Sequence, residues 1–261
     1  CLKSINSDIK VIIVENSNNL ILKDKLELKY SNVKCFLTKE NLGYAKGNNF
    51  GLSKVTSKYA IILNPDAKLE NNTLKNFLIT ANQIKDFAII GPAKQNEYSK
   101  IDENIKKNQV FQVDFLKGFA MFLNLEQFKE TGFFDENFFI YLEIDLCKRL
   151  KKNGKKIYLD KSILVNHVGG SSHDKSINFE MELSRNWHWM WSTFYFNKKH
   201  YGFMKSLLRA GRKFFSSLIK IIFFSLTFNN EKRKIYFHRF SGLYNSIIGK
   251  KSWYRPKVKN N

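Results

Sequence analysis

Short apolar runs separated by polar loops set the pattern of the first two thirds of the chain. Lys10 to Val14, Val33 to Leu37, Tyr59 to Leu63 and Phe87 to Gly91 are each long enough for one buried strand and too short to favour a helix. Val110 to Phe115 alternates and reads as a half-buried strand, while Lys156 to Leu159 and Ile163 to Val168 read as two further short strands. Between these runs the period changes. The stretch after Asn41 enters a helix running to about Val55, and Asn72 to Ile84 places Leu74, Phe77, Leu78 and Ala81 on one helical side. Leu125 to Thr131 reads as a short helix stopped at Gly132. A further helix ends near Asn153, with Leu146, Cys147 and Leu150 on one face, Lys148, Arg149, Lys151 and Lys152 at its carboxyl end and Gly154 as its cap. Glu143 and Asp145 stand in its first turn, where carboxylates are favoured electrostatically. The order strand, strand, helix, strand predicts an open α/β sheet.

The Tyr59 run ends abruptly in Asn64-Pro65-Asp66. Proline donates no ladder hydrogen bond, so the strand is expected to stop there and to hold Asp66 at its carboxyl end. Ligands bind at that end in open parallel sheets, and a carboxylate there suits a hard cation that in turn holds a diphosphate. Asn-Pro-Asp is also good turn chemistry, and taken alone the motif favours the turn; the blocks on either side of it tip the reading to a metal–diphosphate site. Glycines 43, 47 and 51 line one helical face, which lets a ligand or another backbone come close. Polar stretches from Ala93 to Asn108 and from Gly169 to Ser172 read as loops.

From about Ile177 the chain becomes helical and aromatic. Phe214 to Phe228 is apolar, is short for a membrane span and contains Lys220. Basic residues flank it at Arg209, Arg212, Lys213 and Lys232 to Lys234. It suits either a helix lying in an anionic membrane surface or a core helix. Charge sharpens the contrast. The 261 residues carry a net +21, and from Lys198 onward sixteen Lys and Arg face one acid, Glu231. An acidic partner is implied for this end. Nucleic acid is not expected, because the charge lies outside the α/β core and no strand presents an aromatic stacking platform. Cys1, Cys35 and Cys147 are odd in number and lack metal-site spacing, which fits a reducing cytosol and argues against a disulfide framework or zinc site.

Four blocks, in order, resemble glycosyltransferase family 2 of the rhamnosyltransferase-like type: VIIVENSNN, NLGYAKGNNFGL, LNPDA and GFFDENFFIYLEIDLCKRLKKNG. HVGGSS, from His167, resembles the family's segment after the last sheet strand. The resemblance covers about residues 1 to 200. It implies an α/β GT-A fold, a Rossmann-like mixed sheet flanked by helices, with a GT-A domain over 1–175 and an aromatic, basic helical extension over 176–261.

The resemblance further implies a metal-dependent, inverting transfer of a hexosyl or rhamnosyl group. The sugar would move from a nucleoside-diphosphate sugar to a glycan or lipid-linked acceptor in cell-surface polysaccharide synthesis, at the inner face of the cell membrane. Carried over by position, Glu15, Asn41, Gly43, Asn49, Asn64 and Asp66 would form the nucleotide-sugar site, and Lys117 and Gly118 would lie beside the acceptor. Asp66 would bind Mg²⁺ or Mn²⁺. His167 would be a second metal or diphosphate contact, or a structural histidine at a strand end. Glu143 and Asp145 carry the catalytic acid motif, which is one residue shorter than the family's. Aligned from Asp145-Leu146, Glu143 is the base; aligned from Tyr141, the base position falls on apolar Ile144. A non-catalytic GT-A-like binding or scaffold protein is the alternative. The family's opening strand and the motif that follows it have no counterpart here, and CLKSI resembles the tail of the family's first helix. The chain alone is therefore expected to be unstable or inactive, and its full-length parent active.

Overall fold

A computed structural model describes residues 1–94, 110–167 and 177–255. It divides into two compact units, one of Cys1–Asp135 with Leu142–Ser172, the other of Glu136–Tyr141 with His173–Asn261. The sequence boundary at 175 lies outside the described residues. The second unit also draws Glu136–Tyr141 out of the FDENFFIY block, which the sequence places wholly in the α/β part.

In the first unit, β1 (Val11–Glu15) pairs in parallel with β2 (Val33–Leu37) as a two-stranded sheet. A helix that the periodicity does not announce, α1 (Leu20–Lys29), joins them. Its apolar residues run consecutively at Leu20, Ile21 and Leu22, and both Ile21 and Leu28 remain largely exposed, so no stripe of helical period exists to be read. Next comes α2 (Gly43–Leu52), whose Gly51 packs against β1: a Cβ there would lie 3.1 Å from a Val14 methyl.

The larger sheet has the order β3-β7-β5-β8-β4, with β6 also on β8. Its strands are β3 (Tyr59–Leu63), β4 (Ala67–Leu69), β5 (Phe87–Lys94), β6 (Val110–Gln112), β7 (Ala120–Asn124) and β8 (Lys156–His167). Helix α3 (Thr73–Gln83) covers it and seals a core of Phe77, Ala81, Phe87, Ile90, Phe122 and Ile163, with Phe77 stacked on Phe122. The last helix of this unit is α4 (Leu142–Lys152).

Several boundaries correct the sequence reading. The run from Val110 is a strand only to Gln112, with one further bond from the Val113 amide to the Ile157 carbonyl, and Leu125–Phe128 is a single 3₁₀ turn. The two short strands expected after Lys156 are one strand, β8, and β5 runs on through Gly91-Pro92. Both changes share a cause. The β5–β8 register jumps between Pro92 and Ala93, so an irregularity absorbs the missing proline donor. Across from it, the buried Asp160 carboxylate accepts 2.7 Å bonds from the Ser162 amide and hydroxyl and a third bond from Thr80 of α3. Asn76 and Thr73 donate to the carbonyls of Ser162 and Leu164. The polar Asp160-Lys161-Ser162 stretch looks like a loop but has its polar groups satisfied inside, as a buried bulge requires. The stretch from Ala93 to Asn108 lies, beyond Lys94, outside the described residues, as does the Gly169–Ser172 loop.

The second unit packs α5 (Asn178–Tyr201), α6 (Phe203–Leu226) and α7 (Asn230–Ile247) around Met190, Phe194, Ala210 and Leu243. His188 of α5 is fully buried and stacked on Phe139, with ring centroids 4.0 Å apart. Its Nε2 donates to the Tyr254 carbonyl at 2.8 Å, and its Nδ1 accepts from Ser252 at 2.9 Å, pinning residues 252–254 to α5. Burial, aided by the charge of Arg255, pushes its pKa down from 6.5 to about 4. The folded state therefore binds a proton less readily than the unfolded state. Stability from this group is present above pH 6.5 and is lost as pH falls toward about 4, in total about 3 kcal/mol. Urea denaturation at pH 7 and pH 4.5 should show that loss in the wild type, and His188→Phe should flatten the pH slope.

Candidate functional site

The site grows from the turn that ends β3. Asn64 donates its amide to the Phe119 carbonyl, and its own carbonyl accepts from Ala67, so Pro65 and Asp66 form the tip of a turn between β3 and β4. The strand does stop at Leu63, as the proline predicts, and Asn64-Pro65-Asp66 takes the turn conformation. The chain re-enters the sheet at once. In β4, Ala67 pairs with His167 of β8, which sets Asp66 beside His167. His167 Nε2 lies 3.2 Å from Asp66 Oδ1, with both side chains about four-fifths buried, and the imidazole stacks on Phe119.

Tyr44, from the first turn of α2, links this turn to the next loop. Its hydroxyl lies 3.1 Å from Asn64 Oδ1 and 2.9 Å from the Gly118 carbonyl, sharing one hydrogen between two acceptors. Glu143, in the first turn of α4, lies against Gly118: a Cβ on that glycine would stand 3.7 Å from the Glu143 carboxyl carbon. That is an ordinary van der Waals separation, so the Glu143 side chain packs directly over the Gly118 backbone. Burial raises the Glu143 pKa. Burial first, then the charges of Glu143 and Asp66, raise the Tyr44 phenol, which stays protonated. Asn64, Tyr44, Gly118 and Glu143 thus form one connected group next to the Asp66–His167 pair. Lys117 is exposed beside it.

Other sequence candidates are placed differently. Glu15 turns its carboxylate onto its own loop, accepting from the amides of Ser17 and Asn19 at 3.2 Å and from the Ser17 hydroxyl at 2.7 Å. Asn41 accepts from the Gly43 amide at 2.9 Å, and Gly43 takes a φ of +78°, a conformation glycine adopts at no steric cost. Asn49 uses its amide group as a clip: Nδ2 donates to the Phe134 carbonyl at 2.9 Å and Oδ1 accepts from the Phe134 amide at 3.0 Å. These residues fix loops through polar atoms aimed at the chain itself. Asp145 is fully buried and holds Arg149 Nε at 2.7 Å. Arg149 in turn donates to the carbonyls of Thr131 and Phe133, so Asp145 anchors the loop that leads into α4.

A family model for glycosyl transferase family 2 matches residues 1–147, more than half of the chain. The protein belongs to glycosyl transferase family 2. Among curated relatives, it is 24% identical over 170 residues to the low-salt glycan biosynthesis hexosyltransferase Agl10 of Haloferax volcanii, covering 56% of this chain and 54% of that protein. It is 27% identical over 187 residues to the dTDP-rhamnosyl transferase RfbF of Shigella flexneri, covering 64% and 61%. The chain therefore spans somewhat over half the length of these relatives. Among solved structures, the mannosyltransferase PcManGT of Pyrobaculum calidifontis, in complex with GDP-Man and Mn²⁺, is similar at a TM-score of 0.56 and 10% identity, over 93% of this chain and 79% of that one. GalNAc-T7 with UDP, GalNAc and Mn²⁺ is similar at 0.52 and 13%, over 64% and 39%. At such identities the likeness establishes the fold, which is the expected mixed α/β GT-A architecture.

Within this family 2 chain, two site residues escape the sequence reading. Tyr44 lies inside the NLGYAKGNN block, and the lone aromatic among its glycines and asparagines was the available signal. Asn16 accepts from the Leu42 amide at 2.8 Å and donates to Asn41 at 3.1 Å, tying the loop after β1 to the start of α2. Nothing in a run of loop asparagines singles it out.

Proposed function

We propose that this family 2 protein is a glycosyltransferase that moves a hexosyl or rhamnosyl group, with inversion, from a nucleoside-diphosphate sugar to a hydroxyl of a glycan or lipid-linked acceptor. The observation that carries the reading is Glu143. It is a carboxylate with a raised pKa, lodged against Gly118 and connected through Tyr44 to the turn bearing Asp66. Glu143 accepts the proton of the acceptor hydroxyl as that oxygen bonds to the anomeric carbon and the bond from that carbon to the diphosphate breaks. A base whose pKa is lifted toward neutrality suits this transfer. Gly118 and the exposed Lys117 border the acceptor side. Glu15, Asn41, Gly43 and Asn49 contribute by holding the loops that shape the nucleotide pocket.

The donor set at Asp66 fits a divalent cation of the Mg²⁺ or Mn²⁺ type. Among the described residues no group of three or more His, Cys, Asp or Glu could hold a metal ion by itself. One carboxylate with a neighbouring imidazole matches a cation that takes its other ligands from substrate phosphates and water. Asp66 and His167 would hold it, and when bound it would offset the negative charge gathering on the leaving diphosphate. That the two solved neighbours are Mn²⁺ complexes supports the assignment. Asp66→Ala in the full-length protein should cut metal-dependent transfer on the order of a hundredfold, the equivalent of about 2.7 kcal/mol. Initial rates across a Mn²⁺ titration read this directly, and an unchanged Mn²⁺ dependence would remove Asp66 from the metal site.

A further inference from the structure

Helix α6 is built the opposite way from a helix meant to be covered by its own protein. A surface helix ordinarily turns bulky apolar residues inward and polar ones to water. Here Ser206, Ala210 and Ser217 are among the buried residues on the face toward the rest of the helical unit. Met204, Leu208, Phe215, Ile219, Ile222 and Leu226 face away, each between 61% and 79% exposed. At about 100° per residue these six fall within roughly 60° of arc, one straight stripe along the helix. Phe228, in the turn that follows, is 87% exposed. Lys205 and Arg212 lie exposed along one border of the stripe, and no acid occurs between Phe203 and Asn230. Lys232, Arg233 and Lys234 are exposed in the first turns of α7.

We infer that this face of α6 docks in the plane of an anionic lipid bilayer. Three observations favour a membrane over a protein partner. The stripe is aliphatic and aromatic over its whole length, as suits a fluid apolar phase. Its border and the surrounding sequence are basic, complementary to anionic headgroups, with sixteen Lys and Arg against one acid from Lys198 onward. Twenty-four residues long with one continuous apolar stripe, α6 has the form of a helix that lies in the interface plane. The choice left open by the sequence between a core helix and a surface helix is thereby taken in favour of the surface. This inference is independent of the proposed transfer chemistry, and its test reads binding alone.

The test is flotation of the full-length protein with vesicles of phosphatidylcholine containing about a third phosphatidylglycerol, and with phosphatidylcholine alone. The wild type should float with the anionic vesicles and be released by salt. Phe215→Glu with Ile219→Glu should lower partitioning at least about tenfold, since two large side chains leave the apolar phase. Lys205→Glu with Arg212→Glu should abolish the preference for anionic lipid. Melting followed by circular dichroism should be unchanged, because all four positions are outside the packed face. Where it is not, Phe215→Gln with Ile219→Gln decides instead. Wild-type protein that does not float, or apolar-face variants that float as well as wild type, would overturn the inference. So would light scattering that shows a dimer split by the same variants, because a second copy would then cover the stripe.

Discussion

Glu143→Gln is expected to lower sugar transfer by about 10²–10⁴-fold while leaving the protein as stable as the wild type or more so. The two halves come from one fact: burial raises the pKa of this carboxyl above its ordinary 4.5. The folded state holds the Glu143 proton more tightly than the unfolded chain does. The group's contribution to stability is thus fully present below pH 4.5 and declines as pH rises through the raised folded value. At neutral pH the ionised carboxylate weighs against folding. Glutamine keeps the shape beside Gly118 and removes the charge, and with it that penalty and its pH slope. It also removes the only group at this position able to take a proton from a hydroxyl. Urea denaturation of both proteins, together with transfer assays and donor affinity, separates the possibilities. Lost transfer with retained donor affinity is the result for a base. Transfer that survives would remove Glu143 from catalysis and favour the register that leaves the base position on Ile144, whereas a wild type that binds donor without transferring sugar would favour a non-catalytic binding role for the fold.

How much of this site could be read in the sequence depends on whether its parts are local. Asn64-Pro65-Asp66 was legible because proline lacks the ladder donor and here meets turn residues on both sides, whereas at Pro92 a register shift with β8 lets β5 continue. That Glu143 begins a helix was legible from the Leu146, Cys147 and Leu150 face. His167 could be suspected at a strand end, but its position beside Asp66 follows from the register Ala67 to His167, which no local pattern encodes. Tyr44 and Gly118 are 74 residues apart and meet only because α2 and the loop before β7 converge. Asn49 shows a different limit. Its place in a motif rich in small residues suggests a ligand contact, while its amide pairs with the backbone of Phe134, a partner 85 residues away that no local pattern announces. Likewise β8 seemed to break at Asp160, because the partners that make a buried carboxylate tolerable, Thr80 and Ser162, are contributed partly by α3.

Asp145 was grouped with Glu143 by its sequence motif, and the structure predicts that the two will fail in opposite ways. Asp145→Ala should cost about 3 kcal/mol of stability, because it strands Arg149 without the carboxylate that balances it. Arg149 would also lose the anchor that aims its other nitrogens at the Thr131 and Phe133 carbonyls. The damage should reach Asn49, whose clip depends on Phe134 being held in place. Arg149→Met should cost a similar amount, since it takes the guanidinium away from a fully buried Asp145 carboxylate. The double variant should lose clearly less than the sum, because each change removes the charge that makes the other costly. Below its lowered melting temperature, folded Asp145→Ala should still transfer sugar within a few-fold of wild type, whereas Glu143→Gln should be folded and inactive. Denaturation curves and specific activities of the four proteins test this as a set. An Asp145→Ala protein that keeps wild-type stability and loses transfer would move the proton-accepting role two residues along α4, from Glu143 to Asp145.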